Sequence, residues 1–301
     1  MGLALSSIVP GTSFGRQSEL PNNAVHIFSK HLQWLNFRDM AQAAAGIGFD
    51  GVDLTVRPKG HVLPENVEKD LPSAVRAIRA AGLTADRITT AIVDPDDPGT
   101  ETILATASQM GIRSYRLGWL KYRNNGTSLP AQLAEHQARL KGLAAMNEHY
   151  QIQGNYQNHS GKGVGSPVWD LWQLLKDLDP AWMGVRYDIR HATVEGMNSW
   201  ELGLQLLAPF IHTLDMKDFR WVEKNGDWGI ESVPIGTGAV DFPRFFELLD
   251  LYNLGTSSTL HMEYPLGGAD KGATEISVPP ETVFNAMRRD LGYLRSHMKT
   301  S

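Results

Sequence analysis

AWMGVRYDIRH, residues 181–191, runs apolar and then breaks into charge at its C-terminal end, placing Asp188 at the edge of a β-strand and His191 three residues beyond it. The same design recurs along the chain, with helix-like sequence between most neighbours. Before it come AVHIFSK (24–30), GFDGVDLTV (48–56), TADRITTAIVD (84–94), IRSYRLGWL (112–120) and QIQGNYQNHSG (151–161); after it come FIHTLDMKDF (210–219) and STLHMEYP (258–265). The intervening stretches 37–48, 64–83, 101–111, 128–150, 167–179, 199–209, 241–255 and 280–298 carry helical periodicity with Pro or Ser near their starts and Gly near several ends. Strand and helix in alternation require parallel pairing through crossovers. Eight such units predict an α/β fold, a single-domain (β/α)8 TIM barrel over residues 23–301. No glycine-rich phosphate loop follows the first strand, which argues against a doubly wound nucleotide-binding fold.

Length and composition agree. At 301 residues, 42% hydrophobic and 20% charged, the chain can bury one large core, two smaller domains being the alternative on length alone. A net charge of −5 gives no broad basic face for nucleic acid or an anionic membrane. The absence of cysteine excludes disulfides, thiolate metal sites and thiol nucleophiles. Residues 1–22 read as an N-terminal extension in which a short apolar piece turns small and polar. That pattern fits the remnant of a trimmed export signal, which would make the protein periplasmic, and equally an ordinary tail on a cytoplasmic one. No apolar run approaches the roughly 20 residues of a membrane span. The sequence specifies no oligomeric state, and a homo-oligomer is compatible with it.

In a TIM barrel the C-terminal strand ends converge on one mouth, where active sites are built. Residues two apart on a strand share a face, so Gln157 pairs with His159, Asp215 with Lys217, and His261 with Glu263. Inward carboxylates need a counter-charge. One solution is a hard-metal site of Gln157, Asp188, Asp215 and Glu263 suited to Mn2+ or Mg2+, with Zn2+ admitted by a histidine. The other is ion pairing with Arg186, Arg190 or Lys217 and no metal. Asp188 with His191 has the same two faces: ligands, or a helix-capping aspartate beside a histidine satisfied by backbone. His26, His136, His149 and His212 read as structural or surface residues. Around the mouth, His31, Trp34, Asp53, Arg57, His61, Trp119, Lys121 and His261 are candidates to hold a polyol through stacking and hydrogen bonds.

The set GFDGVDLTVRPKGH (48–61), QNHSG (157–161), DIRHATVEG (188–196), MKDF (216–219), VPIGTGAVDFPRFFELL (233–249) and HMEYP (261–265) resembles the xylose isomerase-like TIM barrel superfamily over about residues 23–298. That group holds sugar phosphate isomerases and epimerases, ketose 3-epimerases, inosose dehydratase and the family 2 AP endonucleases. The resemblance implies a divalent metal held by a glutamate from strand five, an aspartate from six, a histidine from seven and a glutamate from eight. Asp188, its companion His191, and Glu263 match, whereas Gln157 stands in place of the glutamate and Asp215 in place of the histidine. Because glutamine cannot titrate, a proton exchange between two glutamates is disfavoured. Glu263 remains as acid/base, with His159, His191, His261 or Lys217 as partners. The expected activity is metal-assisted isomerisation or epimerisation of a small carbohydrate through an enediolate. A lyase or dehydratase of a keto-sugar or inosose is the alternative, and a non-catalytic carbohydrate-binding barrel a third. A DNA-repair role fits least, for want of a basic groove.

Overall fold

A computed structural model describes residues 23–298. Eight parallel strands close into a barrel: β1 (Val25–Phe28), β2 (Gly51–Val56), β3 (Thr84–Thr90), β4 (Ser114–Arg116), β5 (Gln153–Gln157), β6 (Met183–Asp188), β7 (Ile211–Met216) and β10 (Ser258–Leu260). Strands β8 (Asp218–Lys224) and β9 (Asp227–Val233) form a separate antiparallel hairpin. The (β/α)8 barrel expected from the alternation is therefore present. The export-signal reading falls on residues 1–22, outside the described residues.

The helices α1 (Phe37–Ile47), α2 (Val67–Ala80), α3 (Thr100–Gln109), α4 (Leu129–Tyr150), α5 (Val168–Leu175), α6 (Ile189–Gly196), α7 (Trp200–Leu207), α8 (Phe242–Leu251) and α9 (Pro280–His297) follow in chain order. All six residues of β2 and of β6 are buried, because a parallel barrel strand is covered by helices on one face and by the barrel interior on the other. Helix α8 buries Phe242, Phe245, Leu248 and Leu249, a stripe at helical spacing. Each such side chain contributes about 1.5–3 kcal/mol on burial. Among the described residues no helix is long and apolar enough to cross a membrane.

Two elements differ from expectation. Residues 189–196, outside the helical stretches expected, form α6: the Asp188 carboxylate accepts the His191 backbone N–H at 3.1 Å and caps the helix, one of the two roles open to it. The β8–β9 hairpin was not anticipated, although Asn225-Gly226 marks it. Both residues take left-handed φ angles, 57° and 87°, as a tight two-residue turn between antiparallel strands demands.

Candidate active site

Arg186 lies on β6, two residues before Asp188, and so points into the barrel on the same face. Its Nη1 reaches Asp53 Oδ2 at 2.6 Å on β2, the strand diametrically opposite in the closed order. Its Nε and Nη2 hold Asp215 Oδ1 on β7 at 2.6 and 2.5 Å. Thr89 donates to Asp53, and His261 Nε2 lies 3.1 Å from both Arg186 Nη2 and Asp215 Oδ1. Burial opposes the charge on Arg186, but Asp215 and Asp53 outweigh it and raise its pKa. Burial likewise opposes the charge on Asp215, and Arg186 followed by His261 overcomes this and holds its pKa low. The result is a charged floor spanning the barrel, with Asp53 and Asp215 fully buried.

Above the floor lies a second set. Lys217, one residue past β7, places Nζ 3.0 Å from Asp188 Oδ2 and 3.3 Å from Glu263 Oε2. Lys30, just past β1, puts its Nζ 3.4 Å from Glu263 Oε1. Burial raises the proton affinity of Glu263, yet Lys217, His261 and Lys30 hold its pKa well below the ordinary value. Lys217 is opposed by burial but carried upward by Asp188 and Glu263. For Lys30 burial wins over Glu263, and its pKa is lowered. The Glu263 side chain retains 28% exposure, so this carboxylate, unlike Asp215, is open to a ligand.

Gln157, at the end of β5, donates its amide N–H to Asp188 Oδ2 at 2.7 Å and accepts from Arg116 Nη1 at 3.3 Å. Asn158 fixes the same aspartate by accepting its backbone N–H and donating to its carbonyl. The guanidinium of Arg116 packs 4.5 Å from the Trp119 ring; burial, then Arg186 and Arg57, pulls its pKa down to about 9. Trp119, 39% exposed, meets the His159 ring edge-on at 4.7 Å, and His159 in turn covers His191 at 3.9 Å. His191 Nδ1 lies 2.8 Å from Arg190 Nη1, which can only donate. In the neutral ring the proton therefore sits on Nε2, which has no hydrogen-bond partner among the described residues. Burial, then Lys217, pushes His191 well below its ordinary pKa, and the same two causes lower His159.

Several expected contacts belong to the wall. His31 accepts the Met262 N–H on Nε2 and donates from Nδ1 to the Ala269 carbonyl, which uses both ring nitrogens. Trp34 donates to the His31 carbonyl and stacks on Phe284; His61 Nε2 bonds the carbonyls of Leu32 and Leu35. Asp53 serves the floor, and His261 bridges floor and mouth, its Nδ1 3.9 Å from Glu263 Oε1. Arg57 is half-buried over the Phe28 ring and has no ion pair among the described residues. Lys121 is exposed and pairs by its backbone with Gly163. Lys30 was missed, although it ends the first apolar run by the same rule that marked the other strand ends.

The donor groups of the mouth are already committed to cations of the protein. Three carboxylates of the expected set, Asp188, Asp215 and Glu263, already face three cations, Arg186, Lys217 and Lys30. Gln157 turns its N–H rather than its carbonyl oxygen toward Asp188. Among the described residues no three His, Asp or Glu side chains are placed to hold an ion. The expected Gln157, Asp188, Asp215 and Glu263 set is thus not assembled as ligands, and the residues do not fit a divalent metal. The ion-paired alternative describes their arrangement.

The chain belongs to the xylose isomerase-like TIM barrel family, whose model matches residues 41–286. Solved structures share the fold at low identity. The probable 3-DHS dehydratase AsbF of Bacillus anthracis aligns over 91% of this chain and 98% of its own, at 12% identity and a TM-score of 0.65. The 3-keto-D-glucoside 4-epimerase YcjR of E. coli aligns over 91% and 99%, at 15% identity and 0.65. The IOLI protein, solved with a zinc atom, aligns over 92% and 100%, at 12% identity and 0.71. A search of curated proteins finds no match.

Proposed function

We propose that the chain is a carbohydrate isomerase or epimerase that moves a proton on the carbon next to a carbonyl, passing through an enediolate. The observation that carries this reading is Glu263, an accessible carboxylate held between the ammonium groups of Lys30 and Lys217 at the barrel mouth. Charge pairing keeps Glu263 ionised, which makes it a base in the correct protonation state but a weak one. A substrate carbonyl oxygen that draws the two ammonium groups to itself removes that pairing and raises the proton affinity of Glu263 at the moment a proton must be taken. The same ammonium groups then face the negative charge developing on the enediolate oxygen, where preformed charge stabilises most.

One base suffices to carry a proton between neighbouring carbons on one face of the sugar. Inversion needs a second titrating group. Gln157 cannot supply it, so His159, exposed and packed on the His191 ring, is the candidate for epimerisation. Arg57 and Trp119 are placed to hold hydroxyls and a C–H face of a small carbohydrate. The protein-held cations take the place assigned to a metal in the expected mechanism.

The Gln157 position favours a second reading. With one carboxylate base and a donor such as Lys30, the enediolate can instead expel a β-hydroxyl as water, the reaction of a lyase or dehydratase. The two separate in one experiment: incubation with a panel of keto-sugars and inososes in D2O, followed by NMR. Deuterium at the carbon beside the carbonyl with an isomeric product supports isomerisation, and an unsaturated or dehydrated product supports the lyase. No exchange on any panel member, or exchange undiminished by Glu263→Gln, sinks both.

A further inference from the structure

We infer that Lys217 is a built-in cation: its ammonium group holds the place between β6 and the end of β10 that a divalent ion would otherwise take, so this mouth works without a resident metal. The geometry is specific. Nζ bridges Asp188 on β6 and Glu263 beyond β10, at 3.0 and 3.3 Å, and the side chain is 4% exposed. Both Asp188 oxygens are already engaged: Oδ1 accepts the His191 N–H, and Oδ2, the oxygen turned toward Glu263's partner Lys217, accepts from both Gln157 and Lys217.

The backbone beneath this lysine is fixed. The neighbouring Asp218 accepts four backbone N–H groups, from Phe219, Gly236, Gly238 and Val240, at 2.8 to 3.1 Å, which ties the chain leaving β7 to the segment after the hairpin. Lys217 therefore projects from a rigid support rather than from a loop that could swing aside. Charge reaches the same conclusion as geometry. The three carboxylates near the centre are matched by Arg186, Lys30 and Lys217, and Asp53 leans on the same Arg186, while among the described residues Arg57 and Arg116 face no carboxylate at ion-pair distance. Two further positive charges here would find no anion, and an uncompensated buried charge is strongly unfavourable.

The inference does not depend on which sugar reaction the mouth performs, and metal binding reads it directly. Elemental analysis of the wild-type protein, purified without chelator, is expected to show no stoichiometric divalent metal, and calorimetric titration with Mn2+ or Zn2+ no saturable site. Lys217→Met removes the cation and leaves Asp188 and Glu263 facing each other. It should acquire one Mn2+ or Zn2+ site, which Asp188→Asn in the same chain abolishes, while Lys217→Arg should stay metal-free. Circular dichroism and melting establish that each variant is folded, and Lys217→Gln replaces the methionine variant if that one fails. One equivalent of metal in the wild type, lost on Asp188→Asn, overturns the inference. So does a folded Lys217→Met or Lys217→Gln protein that binds neither ion. A protein inactive on every sugar would refute the proposed reaction yet leave these isotherms unchanged.

Discussion

The floor and the mouth of this barrel are built from the same materials, carboxylates facing strand-borne cations, but differ in what they leave open. Arg186 is sealed between Asp53 and Asp215, all three at most 2% exposed, and crosses the interior that most TIM barrels fill with branched apolar side chains. Glu263 sits between Lys30 and Lys217 with more than a quarter of its side chain accessible. A pair that no ligand can reach holds structure. A pair that a ligand can enter stores charge for chemistry, because a substrate oxygen can replace one partner.

The strongest way to break this comparison is to remove the floor cation. Arg186→Met leaves two buried carboxylates uncompensated, and loss of one partner of a buried pair costs about 3–5 kcal/mol. Urea unfolding should show that loss, and most of it should return in a chain that also carries Asp53→Asn and Asp215→Asn. A single Arg186→Met variant as stable as the wild type would show that the floor is not what holds β2, β6 and β7 together.

Glu263→Gln probes the mouth. If the site acts as proposed, turnover should fall by about 10²–10⁴, the range for loss of a general base. The free energy of unfolding should move by no more than about 1 kcal/mol, as for a partly exposed ion pair. Steady-state kinetics and urea unfolding on the same preparation check both. A variant destabilised as much as Arg186→Met would erase the distinction between the two regions.

How much of this was legible in the sequence follows the same division. The barrel was, because eight apolar runs with charged C-terminal ends leave parallel closure as the simplest arrangement. The mouth residues Asp188, Lys217 and Glu263 were, because strand ends are where a barrel concentrates polar groups. Their pairing was not. Spacing says that Asp215 and Lys217 share a face, but whether an inward carboxylate meets a metal or a lysine depends on side chains from β1 and β6, which no local pattern couples. His31 and His61 misled for a related reason: a histidine at a strand end looks the same whether its ring nitrogens meet a sugar or, as here, backbone carbonyls and an amide. Lys30 was overlooked because the first run lacks a carboxylate to draw attention to its end.

Acid should separate the regions by pH. Burial lowers His61 and His212 to about 4. Both stay neutral in the fold while the unfolded chain takes up protons near pH 6.5, so their contribution is complete above 6.5 and is lost as the pH falls toward 4. Asp215 and Glu263, held below their ordinary values, add their share above the unfolded carboxylate range and lose it only at still lower pH. Melting temperature should therefore decline from about pH 6.5 downward, with a shallower slope in His212→Asn. In a protein still folded, kcat/KM should show no acid limb near pH 4.5 from Glu263, since Lys217 and Lys30 keep it ionised in the free enzyme; a limb at that pH in kcat/KM would mean the mouth is less tightly paired than its geometry states.

The smallest effect is expected at the turn of the hairpin, whose root at Asp218 adjoins Lys217. Gly226 has φ of 87° and an open space where a Cβ would go, so Gly226→Ala meets no clash and carries only the left-handed backbone penalty, about 1–2 kcal/mol. That penalty falls on the Asn225-Gly226 turn, far along the strands from Asp218, whose four backbone hydrogen bonds secure the root. Fraying at the turn should therefore leave Lys217 in place: faster amide exchange at Val222 to Gly229, a melting temperature nearly unchanged, and turnover equal to the wild type. A drop in turnover with the barrel still folded would mean that the position of Lys217 depends on the whole hairpin rather than on Asp218, and the mouth would then be coupled to the exposed ribbon above it instead of to the rigid floor below.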